Sequence, residues 1–126
     1  MEQSGLRVTV DGVVGTIVLD RADKRNAVNH SMWAGLETAC RALADDRAVR
    51  VVVLRGQGDH FCAGADITEL LADRPHDTPS FMDVNMAAEA ALASLPKPTV
   101  AVLQGDVVGG GCALAIDCDI RIAVRG

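Results

Sequence analysis

The sequence predicts an α/β fold on three observations. A mostly apolar run, a glycine-containing turn and a helical stretch follow one another at residues 49–71, and the same succession returns at residues 99–117. The runs 49–54 and 99–103 are apolar except for Arg50 and Thr99, as in strands covered on both faces. Residues 33, 36, 40 and 43, and again 81, 84, 88, 91 and 95, repeat apolar side chains at the spacing of a helix face.

The elements follow in order. Residues 6–10 and 13–19 are rich in β-branched side chains, and Asp11-Gly12 between them is a favoured two-residue turn, so the chain opens as a hairpin. Residues 21–26 are a polar, basic loop. Asn29 or Ser31 can cap a helix running to about residue 44, with Trp33, Leu36, Cys40 and Leu43 as its stripe. After the strand at 49–54, Gly56-Gln57-Gly58-Asp59 forms a loop, and Phe61-Cys62-Ala63-Gly64 leads into a short helix from Asp66 to about residue 71. Residues 73–79 are polar and carry two prolines, which predicts a mobile loop. A second long helix stops at Pro96-Lys97-Pro98. A strand at 99–103, a helix opened by Gly109-Gly110-Gly111 and running to about Asp117, and a strand at 120–124 complete the chain. Residues 1–126 read as one unit without an internal boundary. The end falls two residues after a strand, so the expectation is the N-terminal part of a larger domain.

Composition excludes several classes. The net charge of −5 argues against nucleic acid as the main partner, so an anionic ligand would need a local basic cluster. With two Phe, one Trp and no Tyr, the core must be aliphatic. No run approaches the ~18 apolar residues of a membrane helix. The start, Met-Glu-Gln-Ser-Gly, lacks the basic and apolar regions of a secretion signal, and Cys40, Cys62, Cys112 and Cys118 form no C-x-x-C pair. The expectation is a cytoplasmic protein with reduced, mostly buried thiols and no metal.

The glycine-rich turns carry the chemistry. Gly105 followed by Gly109, Gly110 and Gly111 fits neither G-x-G-x-x-G nor a P-loop, because Gly111-Cys112 stands where Lys-Ser or Lys-Thr is needed. What remains is a strand-to-helix turn without Cβ atoms, where a ligand can approach amides at a helix N-terminus. The alternative is tight backbone packing. The segment 61–67 makes a similar offer, since small residues pass from an extended stretch into a helix. Two such amides converging on one oxygen would form an oxyanion hole.

Three segments, in order, carry a resemblance: Asp23-Lys24-Arg25-Asn26-Ala27-Val28, Phe61-Cys62-Ala63-Gly64-Ala65-Asp66-Ile67, and Gly109-Gly110-Gly111-Cys112-Ala113-Leu114. Together they resemble the N-terminal signatures of the crotonase superfamily, the enoyl-CoA hydratase/isomerase family, and span nearly the whole chain. The resemblance implies a crotonase-like spiral of ββα units and fatty or other acyl-CoA thioesters as substrates, with coenzyme A part of the substrate and no separate cofactor. It implies that the amides of Ala65 and Gly110 hold the thioester oxygen as it becomes enolate-like. It places the ligand against Lys24, Arg25, Ala27, Ala63, Ala65, Asp66, Ile67, Gly109, Gly110 and Ala113. It also implies a homotrimer or a hexamer. The basic triplet Arg21, Lys24 and Arg25 supplies the local charge that a phosphate-bearing ligand needs, although Arg21 reads more simply as a solvated loop residue.

Two departures qualify the implied activity, which is that of an enoyl-CoA hydratase (a lyase) or an isomerase. Family hydratases carry Glu three residues after the oxyanion glycine, where this chain has Ala113. Their second Glu follows the last strand, beyond this chain. Isomerases with an apolar residue at the first position remain compatible. The alternatives are a non-catalytic acyl-CoA-binding protein and a truncated, inactive fragment. Asp117 and Glu69 could reach a pocket, but the simpler readings are a pair with Arg121 and a helix-surface charge. His60 and Cys62 alternate on one extended segment, yet no third group orients a nucleophile there. Met82 and Met86 read as helix packing, and His30 and His76 as surface residues.

Overall fold

The computed structural model describes residues 2, 3, 5–71 and 78–124. Six strands form one sheet in sequence order: β1 (Glu2–Gln3), β2 (Leu6–Asp11), β3 (Val14–Leu19), β4 (Val51–Gly56), β5 (Thr99–Leu103) and β6 (Ile120–Ala123). The β1–β2 and β2–β3 pairs are antiparallel, and β3 through β6 are parallel. Each parallel step is joined through helix: α1 (His30–Asp45), then α2 (Ile67–Leu70) with α3 (Phe81–Ala93), then α4 (Gly110–Asp117).

The hairpin turn sits one residue later than predicted. Asp11 still pairs with Val14, so Gly12 and Val13 are the two loop residues. Gly12 has φ +61°, the left-handed conformation that such tight loops need at their first position.

Helix α1 starts where predicted, because the Asn29 side chain accepts from the Met32 amide at 2.9 Å. Its stripe of Trp33, Leu36, Cys40 and Leu43 is buried. The far end is tied by Lys97, whose Nζ donates to the carbonyls of Leu43 and Asp46, at 2.6 Å each. Helix α3 opens on a reciprocal cap between Ser80 and Asp83. It packs on α1 through Phe81, Val84, Ala88 and Leu92, all buried. Met82 and Met86 point away from that contact and are exposed, so they do not pack the helix as the spacing suggested.

The two central strands are not covered equally on both faces. In β4, Val52, Leu54 and Gly56 are buried, while Val51, Val53 and Arg55 are only half-buried. The buried helix faces share one core with those inward residues, and the alternation of side chains across a strand leaves its other row less covered. Strand β6 is exposed throughout. Its start is fixed to β5 by a reciprocal pair: the Thr99 amide donates to Asp119 Oδ2 at 2.9 Å, and the Asp119 amide donates to Thr99 Oγ1 at 2.8 Å. The predicted mobile loop at 73–79 falls mostly outside the described residues.

Candidate functional site

The segment after β4 is threaded between two neighbours. It bridges Val28 on one edge through Ala65 and Val107 on the other through Cys62. Its amides can be followed one by one. Phe61 donates to Gln104 O, Cys62 to Asp106 O, Ala63 to Arg25 O and Asp66 to Val28 O, while Gly64 donates to Cys62 Sγ. The Ala65 N–H is left without a partner among the described residues. Ala65 is half-buried and lines the cleft described below, so its spare donor can be reached by a ligand.

The second turn leaves a similar donor. Val108 donates to Cys62 O, Gly111 to Val108 O and Ala113 to Gly109 O, and the Gly110 N–H has no partner among the described residues. Gly110 is the first residue of α4, so its N–H lies at the positive end of the helix dipole. The two free amides are close: a Cβ added to Gly110 would stand 3.5 Å from the Ala65 nitrogen.

Glycine is required on both sides of this approach. Gly64 has φ +110°, and a Cβ there would meet Val108 O at 3.1 Å. A Cβ on Gly111 would collide with the carbonyl and Cβ of Cys62, pushing the turns apart. Tight packing and amide exposure therefore occur together, and the choice between them dissolves. Trp33, fully buried, supports the pair from α1, its Cζ2 lying 3.3 Å from the position of a Gly110 Cβ.

An open cleft of about 510 Å³ adjoins the Ala65 amide, lined by Arg21, Lys24, Ala27, Ala65, Asp66 and Ile67 among others. Arg25, Ala63, Gly109, Gly110 and Ala113 lie outside that lining. Lys24 is exposed and free of ion pairs among the described residues. Arg25 pairs with Asp106 at 3.2 Å across a largely exposed contact. Arg21 is not the solvated residue the sequence suggested. It meets Asp66 at 2.7 Å in a mostly shielded pair, and it also donates to Ala27 O. The Thr68 hydroxyl, then Arg21, hold the Asp66 carboxyl down to about 2. A depressed carboxyl stabilises the fold above its ordinary value of 3.8, and that contribution is lost as pH falls through about 2. Unfolding by urea between pH 5 and pH 2 should therefore show an acid-side loss of stability that Asp66→Asn lacks.

Sequence reasoning quoted Asn26 within a motif but gave it no role. It is fully buried, with φ +61°. Its Oδ1 accepts from the Arg21 amide at 2.9 Å, and its Nδ2 donates to Gln57 O at 3.0 Å and His60 O at 2.7 Å. It thus joins the basic loop to the loop that feeds the Ala65 turn. The available signal was an Asn in a charged loop, a residue able both to adopt the left-handed conformation and to bond in two directions.

The remaining candidates separate. Cys62 is buried, and burial pushes its thiol up to about 11, so it is not a thiolate. His60 Nδ1 accepts from the Asp106 amide at 2.8 Å, which places the ring proton of the neutral form on Nε2. Asp117 does not pair with Arg121, which donates instead to the carbonyls of Ala115 and Cys118. Glu89 on α3 stands beside Asp117. The side chain of Glu69 and all of His76 lie outside the described residues. His30 Nε2 lies 3.0 Å from Pro79 O. Cys40, Cys62 and Cys118 are buried and Cys112 is exposed. Among the described residues, no cluster of three His, Cys, Asp or Glu could hold a metal, and no helix is long and apolar enough to cross a membrane.

These features define an α/β protein in which two glycine turns present unpaired amides beside a partly basic cleft. Residues 9–126 match the family model described as enoyl-CoA hydratase/isomerase, and the chain belongs to that family. It is 37% identical over 117 residues to the probable enoyl-CoA hydratase echA6 of Mycobacterium tuberculosis, covering 91% of this chain and 45% of that relative. It is 36% identical over 112 residues to the human mitochondrial methylglutaconyl-CoA hydratase, covering 86% of this chain and 33% of that relative. An enoyl-CoA hydratase/carnithine racemase structure from Magnetospirillum magneticum superposes with a TM-score of 0.87 at 35% identity, over 97% of this chain and 47% of that one. The fold is therefore that of the crotonases. The chain spans about half the length, or less, of the curated relatives it matches.

Proposed function

We propose that this protein holds acyl-CoA thioesters, with the Ala65 and Gly110 amides donating to the thioester oxygen, and that it serves an enoyl-CoA hydratase- or isomerase-type reaction. The observation that carries the proposal is the pair of N–H groups on adjacent turns that have no partner among the described residues, one of them opening α4. Two donors on one carbonyl oxygen acidify the α-carbon and make the β-carbon of an enoyl group electrophilic. Each donor contributes roughly 3–4 kcal/mol when charge develops on that oxygen. Lys24, with no ion pair among the described residues, is a cation available to a phosphate at the cleft rim, while Ala27 and Ile67 offer apolar contact to the ligand's uncharged parts. Arg21 and Asp66 neutralise one another and shape the cleft wall.

Position 113 cannot move a proton, because it is alanine. An isomerase-type reaction, with its proton carried from elsewhere, suits that position better than hydration, which needs groups both to activate water and to protonate carbon. The same alanine favours a second reading, in which the protein binds thioesters without turning them over. Cytoplasmic location and trimeric or hexameric assembly belong to the proposal through family resemblance.

Crotonyl-CoA added to the protein in a calorimeter is expected to give a saturable heat. Loss of the enoyl-thioester ultraviolet absorbance would show hydration, and heat without that loss would favour binding or isomerisation. Conversion of a 3-enoyl-CoA to its 2-enoyl isomer, followed by the gain of the same absorbance, separates those two. Absence of heat with every acyl-CoA tried would defeat the proposal.

A further inference from the structure

Glu89 on α3 and Asp117 at the end of α4 meet where these two helices pack together. The Asp117 Oδ2 atom is buried and has no hydrogen-bond partner among the described residues. A bare carboxylate oxygen in such a place is costly, and a cation is the usual remedy. None is in place. Arg121 directs its guanidinium to Ala115 O at 3.1 Å and Cys118 O at 2.8 Å. Asp119 is engaged by the Thr99 amide, and Asp83 on the first turn of α3 is engaged by the Ser80 cap. Glu37 on α1 is bound to Arg41. The thiols of Cys118 and of Cys40 on α1 are held up, to about 11 and about 12, first by burial, and so stay neutral.

Two carboxyl groups that meet without a cation are stable when one proton lies between them, one oxygen donating it and the other accepting. We propose that Glu89 and Asp117 share a single proton, that this proton clamps α3 to α4, and that the clamp positions the Gly110 amide two turns upstream on α4. In accord with this, burial first and then the neighbouring Glu89 push Asp117 up to about 7. The clamp itself rests on the packing of the two helices, and its effect on Gly110 rests on the thioester reading above. The carboxyls act through the helix, because two turns separate them from the amide by roughly 10 Å along the axis.

The folded protein keeps the shared proton up to about pH 7, whereas an ordinary carboxyl releases it near 3.8. The stabilisation is complete below about 3.8 and is lost as pH rises through about 7. Within that window the unfolding constant rises by up to about tenfold per pH unit.

The test is urea unfolding of the protein, Glu89→Gln and Asp117→Asn between pH 5 and pH 8.5. Each variant replaces the shared proton with an amide donor that does not titrate. The wild-type midpoint should fall with rising pH, Asp117→Asn should stay level, and Glu89→Gln should fall less than the wild type, because the burial of Asp117 remains. A level wild-type profile, or variants that fall in parallel with it, overturns the clamp. Should the variants not fold, the carbon-13 resonance of the Asp117 carboxyl in the wild type decides: a midpoint near 7 supports the clamp, and one near 4 defeats it. For Gly110, crotonyl-CoA affinity should weaken several-fold from pH 6 to pH 8 in the wild type and far less in Glu89→Gln. Equal weakening in both proteins overturns the positioning role. Absence of crotonyl-CoA binding at every pH defeats the thioester reading and the positioning role together, while the urea profiles still decide the clamp.

Discussion

Gly110→Pro is expected to remove most of the proposed thioester chemistry while leaving the protein folded. Proline has no N–H, so the substitution deletes one of the two donors and sets the ring carbon where the proton stood. Gly110 is the first residue of α4, the helical position where proline is best tolerated, and the ring's Cβ must displace Trp33 Cζ2 slightly from 3.3 Å. The N–H has no partner to lose among the described residues. Loss of an oxyanion donor typically lowers turnover by ~10²–10³-fold. Turnover of an enoyl-CoA substrate, or competition by an acyl-CoA enolate analogue if turnover is absent, measures the effect. A variant with a native circular-dichroism spectrum and undiminished turnover or analogue affinity would remove Gly110 from the site.

Asn26→Ala should cause the largest loss of stability among single changes around the cleft. It leaves the part-buried Gln57 and His60 carbonyls and Arg21 amide without their present partner, the fully buried Asn26 side chain. Each such group costs about 1–3 kcal/mol. The backbone at φ +61° adds a further penalty of about 1–2 kcal/mol, because alanine, unlike asparagine, gains no local hydrogen bond there. A total of about 4 kcal/mol or more is expected from urea unfolding. Asn26→Gly separates the causes: it relieves the backbone strain but restores none of the three bonds, so it should recover only the smaller share. A loss under about 1 kcal/mol in Asn26→Ala would show that water replaces the side chain and that the two loops are not joined through it.

Both arguments depend on where the chain places small or polar residues, and these differ in how plainly the sequence shows them. Gly64, Gly109, Gly110 and Gly111 stand out because each sits at a strand-to-helix passage, where absent Cβ atoms have few uses. Asn26 does not stand out, because two of its three bonding partners are backbone carbonyls 31 and 34 residues away. Nothing in the residue types of Gln57 or His60 reveals that their carbonyls need a donor. Glu89 and Asp117 are hidden for the same reason, being 28 residues apart on different helices. Arg121 is close to Asp117 in sequence and of opposite charge, yet it turns toward carbonyls.

The sequence by itself determined the order and kind of the elements, through local signals. Asn29 caps a helix, β-branched runs make strands, the glycine triplet opens a turn, and the helical spacing of Trp33, Leu36, Cys40 and Leu43 picks the buried face of α1. It also marked the family, because three motifs in fixed order survive as local strings. Only the tertiary structure decided which amides are left over. The Ala65 N–H has no partner among the described residues because its neighbours in the segment are bonded elsewhere: to Gln104, Asp106, Arg25, Val28 and the sulfur of Cys62. A hydrogen-bond remainder of that kind exists only after distant segments have met. The same holds for the Arg21–Asp66 pair and for the placing of Glu89 beside Asp117, since these partners in space are far apart along the chain.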